Sequence, residues 1–143
     1  MVIGQIFLGN MTKEEFNKYL ISIGGLERTY REYKGPIIEG GWVGEGWNEL
    51  IKNLIDELLQ LGWDKRVNQI KEKFGGLRFY VENPPVNGHD VISKYEKLSY
   101  STCELCGKVG VLRTGKWLKT RCDEHSDGNE AFDAGKFKNL FGG

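Results

Sequence analysis

The sequence predicts an α+β fold in which helices pack on a small antiparallel β-hairpin sheet, with a cysteine-bearing module toward the C-terminal end. Three features carry that expectation. Apolar residues recur at helical spacing from Leu50 to Leu61, alternating runs flank Gly75-Gly76, and two pairs of soft ligands, each with a two-residue gap, lie beyond residue 102. The chain has 143 residues, 39% hydrophobic and 28% charged, with four tryptophans. That is the size and composition of one compact domain, or of a domain with an appended module, and not of a disordered polymer. The expected divisions are an N-terminal helical segment over 1–40, an α+β core over 41–101, the cysteine module over 102–126 and a tail over 127–143.

Thr12-Lys13-Glu14-Glu15 reads as a capping box, and Phe16, Tyr19, Leu20 and Ile23 follow at helical spacing until Gly24-Gly25 ends the run. Leu26 to Lys34 reads as a second, highly charged helix. Pro36 and the glycines at 35, 40, 41, 44 and 46 then make a loop that carries Trp42 and Trp47. Leu50, Ile51, Leu54, Ile55, Leu58 and Leu61 mark the central core helix, with Gly62 as its stop signal. Arg66 to Phe74 and Leu77 to Glu82 read as strands, and Asn83 to Gly88 breaks the chain. Asp90 is placed to cap a last helix with Val91, Ile92, Tyr95 and Leu98 on one side. Beyond His125 the chain turns small and polar, and Phe137, Leu140 and Phe141 suggest a short amphipathic segment.

The strongest chemical signal is Cys103-Glu-Leu-Cys106-Gly, followed after fifteen residues by Cys122-Asp-Glu-His125. Each two-residue gap lets a tight turn aim both ligands at one point, and Gly107 suits the turn that follows. Cys103, Cys106, Cys122 and His125 therefore read as a tetrahedral Zn2+ site of zinc-ribbon type. Four protein ligands close the coordination sphere, so the metal is expected to be structural. The competing reading, three buried or redox-active cysteines and an unrelated histidine, leaves the matched spacing unexplained. Between the pairs, Val109 to Leu112 and Lys116 to Thr120 are expected to form a hairpin around Thr114-Gly115. The segment 107–121 holds Lys108, Arg113, Lys116, Lys119 and Arg121, no acidic residue, and Trp117. Such a surface suits phosphate contacts with an aromatic plane for stacking, or is simply a set of solvated lysines.

With Gly75-Gly76 as the central residues of a type I′ turn, Lys73 faces Arg78, Glu72 faces Phe79 and Lys71 faces Tyr80. Ile70, Phe74, Leu77, Phe79 and Val81 then share an apolar face with Glu72 as the one intruder. Lys71, Lys73, Arg78 and Tyr80 share a cationic, aromatic face. Like charges side by side call for an anion between them, either a phosphate-bearing ligand or the carboxylates of Glu45, Glu49 or Asp56. A phosphate-cradling loop of the P-loop kind is excluded, because a strand-like Leu-Arg-Phe-Tyr-Val follows the glycines in place of Lys-Ser or Lys-Thr at a helix start. Glu72 reads as an acid–base group or, more simply, as a salt-bridge partner.

Other classes are weakened in turn. No apolar run of about 18 residues and no leader pattern is present, so no membrane association is expected. Three cysteines at metal spacing point to a reducing, cytoplasmic compartment. A zinc deaminase would need a His-x-Glu element, which is missing, and of the two histidines only His89 lies outside the metal motif. No catalytic constellation is read. The formal net charge is zero, but residues 1–62 carry six basic and nine acidic groups, net −3, and residues 63–143 carry fourteen and eleven, net +3. A polyanion partner would prefer the second half.

The run Gln-Ile-Lys-Glu-Lys-Phe-Gly-Gly-Leu-Arg-Phe-Tyr-Val, the Gly-Trp-Asn-Glu-Leu-Ile helix start and the two ligand pairs together resemble a group of small uncharacterised zinc-ribbon proteins of bacteriophages and prophages, over roughly residues 41–125. The resemblance implies provenance, and with it the cytoplasm of a bacterial host; it supplies no catalytic residue. By analogy with small phage proteins that sequester nucleotide immune signals among cations and aromatics, the expected function is non-enzymatic binding of a phosphate-bearing nucleotide as a counter-defence sponge. Lys71, Lys73, Arg78 and Arg113 would hold phosphate, while Tyr80, Trp42 and Trp117 would stack. The first alternative is a DNA- or RNA-binding ribbon module, which the zero net charge weakens. The second is a protein–protein adaptor that inhibits a host enzyme through the tryptophan loop and the apolar tail. The sequence leaves self-association open.

Overall fold

The computed structural model describes residues 10–29 and 35–133. The expected segment Phe137 to Phe141 and the stretch 30–34 lie outside the described residues. Helix α1, Lys13–Ser22, opens on the expected capping box: Glu15 N donates to Thr12 Oγ1 at 3.1 Å, and Thr12 N donates to Glu15 Oε1 at 2.9 Å. Leu26 to Thr29, the described part of the expected charged helix over 26–34, are not helical. Leu26 bridges Ile37, and Glu27–Arg28 form a short strand β1. The cause is a competing partner, because β1 adds in parallel to the start of strand β2 (Arg66–Lys73), with Glu27 opposite Arg66. Backbone bonding to an available strand edge outweighs helix propensity over so few residues.

Helix α2, Asn48–Gln60, is the centre of the molecule. Leu50, Ile51, Leu54, Ile55 and Leu58 are buried on one stripe, as their spacing predicts. Leu61 is exposed instead, because the helix ends at Gln60 and Gly62 turns the chain at φ +89°. Trp63 folds back into the core, and its ring meets Phe79 edge-on at 5.9 Å. Asp56 and Glu57, adjacent on α2, tie it to its two neighbouring helices. Tyr19 of α1 donates to Asp56 at 2.6 Å, and Lys94 and Tyr95 of helix α3 (Gly88–Ser99) both donate to Glu57. Asp90 lies in the first turn of α3 but does not cap it; the N-cap is Asn87, in the left-handed region at φ 66°.

Strands β2 and β3 (Gly76–Val81) form the expected antiparallel hairpin, and with β1 they make a three-stranded sheet of order β1-β2-β3. The register differs from the expectation by one residue at the turn. Phe74 and Gly75, at φ 54° and 85°, are the central residues, so Lys71 faces Arg78 and Lys73 faces Gly76. Two contacts set this. The Glu72 carboxylate accepts from Gly75 N at 2.7 Å, and the Tyr100 ring lies where a Cβ on Gly76 would stand, 2.2 Å from its Cζ. Gly76 is thus needed for close packing, not for the turn. Because the change in pairing preserves strand parity, the two faces keep their residues apart from Phe74, which is exposed at the tip. Among the described residues Glu72 makes no salt bridge to a core-edge cation; it caps the turn.

The inner face, with Val67, Ile70, Leu77 and Phe79, joins the α2 stripe in one core. Along the outer edge of β3, Ser99 Oγ and Glu96 Oε2 accept from Leu77 N and Phe79 N, both at 2.9 Å. Helix α3 therefore satisfies amides that would otherwise face solvent. A second, two-stranded sheet pairs β4 (Val111–Arg113) with β5 (Lys119–Arg121). Its strands start later than expected: Val109 instead bridges Thr102, and 114–118 form the connecting loop. The chain after the second ligand pair returns to this sheet, where Thr114 N donates to Glu130 O and Phe132 N to Leu112 O.

Candidate metal centre and the adjoining hairpin face

Cys103 and Cys106 lie on one tight turn and Cys122 and His125 on another, and β4–β5 connects the two. In the first turn Gly107 N donates to Cys103 O at 2.9 Å, and Cys103 N donates to Lys108 O at 2.8 Å, with Gly107 at φ +84°. In the second, His125 N donates to Cys122 O at 3.1 Å within a short 3-10 turn, Asp123–His125. The result is four ligand atoms within 4.8 Å of one another. Cys106 and Cys122 Sγ are 3.6 Å apart, while His125 Nδ1 is 3.2 Å from Cys122 Sγ and 3.7 Å from Cys103 Sγ. A tetrahedron with metal–sulfur bonds of about 2.3 Å and a metal–nitrogen bond of about 2.0–2.1 Å has edges of roughly 3.8 and 3.5 Å. The cysteines are free thiols, not a disulfide. The group can hold a metal ion, as the sequence spacing predicts.

The electrostatics agree with that fit. Burial pushes the Cys103 thiol up, but backbone amides of Cys122, Cys106 and Leu105 outweigh it and bring the group down to about 6. Cys106 moves the other way, to about 11, through burial and the neighbouring sulfurs. One thiolate is favoured and a second beside it is not, a conflict that a bound cation removes.

Two side chains hold this module in shape, and neither announces itself by spacing. Glu104 sits between the ligands of the first turn and joins three elements. Its carboxylate accepts from Gly44 N at 3.0 Å and pairs with Arg121, its carbonyl accepts from Gly46 N at 2.7 Å, and its own amide donates to Thr120 O. A Cβ on Gly44 would lie 2.4 Å from Glu104 O, and one on Gly46 2.1 Å from Cys103 O. The glycines of that loop are thus a mating surface, and Trp47 beside them is fully buried, its Nε1 donating to Thr102 O at 2.8 Å. Alternating glycines just before a tryptophan are the signal that could have marked the contact.

Arg113 is the second such group. It was expected to hold phosphate, but it is 8% exposed and three of its donors go to Arg121 O, Asn129 O and Asp123 Oδ1, at 3.0, 3.0 and 2.8 Å. It clamps the second ligand turn from inside. Trp42 also lies elsewhere, packed edge-on against Phe16 at 5.9 Å. His89 is an exposed residue in the first turn of α3.

Lys71, Lys73, Arg78 and Tyr80 do share the outer face of the hairpin. Lys71 stands opposite Arg78 and lies over the Tyr80 ring, 5.9 Å from its centroid. Arg78 is held in place: it donates to Leu77 O at 2.9 Å and to Tyr100 Oη at 3.0 Å, and the Tyr100 bond raises its already high pKa further. Tyr100 is a residue that sequence reasoning missed. None of the anticipated carboxylates forms a salt bridge with this face among the described residues. Asp56 pairs with Lys52 at 2.7 Å, and neither Glu45 nor Glu49 makes a salt bridge among the described residues. By contrast Lys108, Arg113 and Arg121 of the cysteine module are each paired with a carboxylate. No protein-family model, curated protein or solved structure matches this chain. No helix of the described residues is long and apolar enough to cross a membrane.

Proposed function

We propose that this is a zinc-stabilised, non-enzymatic protein that binds a phosphate-bearing nucleotide ligand on the outer face of the β2–β3 hairpin. The observation that carries the reading is the pair Lys71 and Arg78, directly opposite one another, half-buried on the outer face and in no salt bridge among the described residues, with the Glu96 carboxylate acting on Arg78 only at longer range. Like charges so placed repel unless an anion lies between them. Arg78, fixed by Tyr100 and Leu77 O, retains donors for a phosphate, and Lys71 adds a point charge. Tyr80 offers a ring beside them. Zinc is the metal that three thiolates and an imidazole in tetrahedral array suit best, and with four protein ligands it supplies folding energy and no open position for a reacting water. Cys103, Cys106, Cys122 and His125 would hold it. Sequestration of a nucleotide immune signal during phage infection is the biological role this chemistry would serve.

The test is to incubate purified protein with a nucleotide pool, wash, denature it and identify what is released by mass spectrometry, with total metal measured on the same sample. Intact nucleotide and zinc, each near one per chain, are expected, with nucleotide recovery falling at least tenfold in Lys71→Glu. Recovery of no nucleotide, or equal recovery from a folded Lys71→Glu variant, would sink the binding-face proposal.

A further inference from the structure

Three aromatic rings are displayed along the hairpin and across its tip, each with a lysine at its face. Lys71 Nζ is 5.9 Å from the Tyr80 ring centroid, Lys73 Nζ 5.5 Å from that of Phe74, and Lys116 Nζ 5.4 Å from that of Trp117. The rings are 41%, 63% and 64% exposed. Two other lysine–ring pairs, Lys52 on Tyr19 and Lys94 on Tyr95, have ordinary structural explanations, since those lysines are salt-bridged to Asp56 and Glu57. Lys71, Lys73 and Lys116 make no salt bridge among the described residues.

Phe74 is the most informative of the three. It occupies a left-handed turn position at φ 54°, where glycine or asparagine is strongly favoured and a bulky side chain is strained. Burial does not offset that strain, because the ring faces solvent. The tip also continues into the cysteine module. Thr120 Oγ1 donates to Gly75 O at 2.7 Å, and a Cβ on Gly75 would lie 2.4 Å from Leu112 Cδ1 and 3.4 Å from the backbone of Leu118 and Lys119. Phe74 and Trp117 each neighbour that contact in the chain, one in the connection of each of the two sheets that meet there.

Resting on the phosphate-ligand reading above, we propose that the ligand is a single-stranded nucleic acid laid along the hairpin from Tyr80, over Phe74, to Trp117. A mononucleotide has one base and uses one ring. A repeated ring-and-cation pattern instead matches the alternation of base and phosphate along a strand. From Tyr80 to the tip is about 16 Å, four steps of ~3.3 Å along β3 to Gly76 and one more to the turn, beyond the reach of a single nucleotide. A duplex keeps its base faces stacked and cannot use these rings.

The test is fluorescence anisotropy of the full, metal-loaded chain with a labelled twelve-nucleotide oligothymidylate, with thymidine monophosphate and a duplex of the same length as competitors. The single strand is expected to bind at least tenfold tighter than either competitor, and to weaken about 20- to 50-fold between 50 and 200 mM salt if three or four phosphates are neutralised. Trp117→Ala should weaken it about fivefold or more. Phe74→Gly should do the same without lowering the melting temperature, because it relieves the turn while removing the ring. If the monophosphate binds but the strand binds no tighter, and both variants leave the strand unaffected, the strand inference fails and the nucleotide reading stands. If neither binds, both fail, and preference for the duplex overturns the strand inference alone.

Discussion

Replacing Gly46 by alanine adds one methyl group, and the magnitude of its effect follows from where that carbon must go. It would stand 2.1 Å from Cys103 O and 2.5 Å from Glu104 C, both backbone atoms of the first ligand turn. The φ at Gly46 is not in the left-handed region, so the effect is contact alone. Relief requires the turn to retreat on the order of 1 Å, which stretches the 2.7 Å bond from Gly46 N to Glu104 O beyond hydrogen-bonding range. Losing that bond between buried groups costs about 1–3 kcal/mol and the overpacking about 1–3 kcal/mol more. At roughly 2–4 °C per kcal/mol for a chain of this size, the melting temperature should fall by about 5–20 °C. Gly62→Ala is the matched control: nothing lies within 4 Å of its added carbon, but its φ is +89°, so it carries backbone strain of about 1–2 kcal/mol without touching the metal module. Differential scanning fluorimetry with and without chelator reads both effects. Gly46→Ala should melt lower than Gly62→Ala and, after loading with Zn2+, release the ion at lower chelator concentration. A zinc-loaded Gly46→Ala protein that melts within a degree or two of wild type and retains the ion equally would refute the mating of this loop with the ligand turn.

Arg113→Lys keeps the charge but replaces a planar group that bonds three acceptors with one ammonium. Metal affinity, measured by competition with a chromogenic chelator, should drop by about tenfold or more. Burial pushes the Glu57 carboxyl up, but hydrogen bonds from Lys94 and Tyr95 prevail and hold it below its usual range. A carboxyl depressed by folding stabilises the fold above its unfolded pKa of about 4.3, and that contribution is lost as pH falls through the folded value. Urea midpoints should therefore fall below about pH 4 in the wild type, and less steeply in Glu57→Gln; parallel profiles would contradict this. Leu54→Ala, at a fully buried position in the middle of α2, should cost about 2–5 kcal/mol in chemical denaturation.

What the sequence discloses here depends on how local the cause is. The α1 cap, the α2 stripe and the spacing of the four ligands are set by residues a few positions apart, and they are where the sequence places them. Where a distant partner decides, sequence reading goes astray. Glu27 and Arg28 read as helix but bond a strand that begins nearly forty residues later. Gly76 reads as half of a turn but serves Tyr100, and the ring's identity as its neighbour is written nowhere near it. Arg113 looks like one surface cation among five and is the buried one, because its partners at 121, 123 and 129 assemble only when the second ligand turn closes. The faces of the hairpin are legible although its register is not, because moving the pairing by two residues leaves unchanged the strand parity that sorts residues to the two sides.

The anchoring of the first ligand turn also has a direction along the chain. Outside its own module it rests on Asn10, Gly44, Gly46 and Trp47, and the neighbouring β5 rests on Gly75. Every one of these is translated before Cys103. At about 5–20 residues per second, the interval from Trp47 to Cys103 is roughly 3–11 s, long compared with the submillisecond formation of a helix such as α2. A nascent chain therefore holds every residue of the first turn's seat before its thiols are made, whereas the second turn still awaits Asn129, whose carbonyl Arg113 binds.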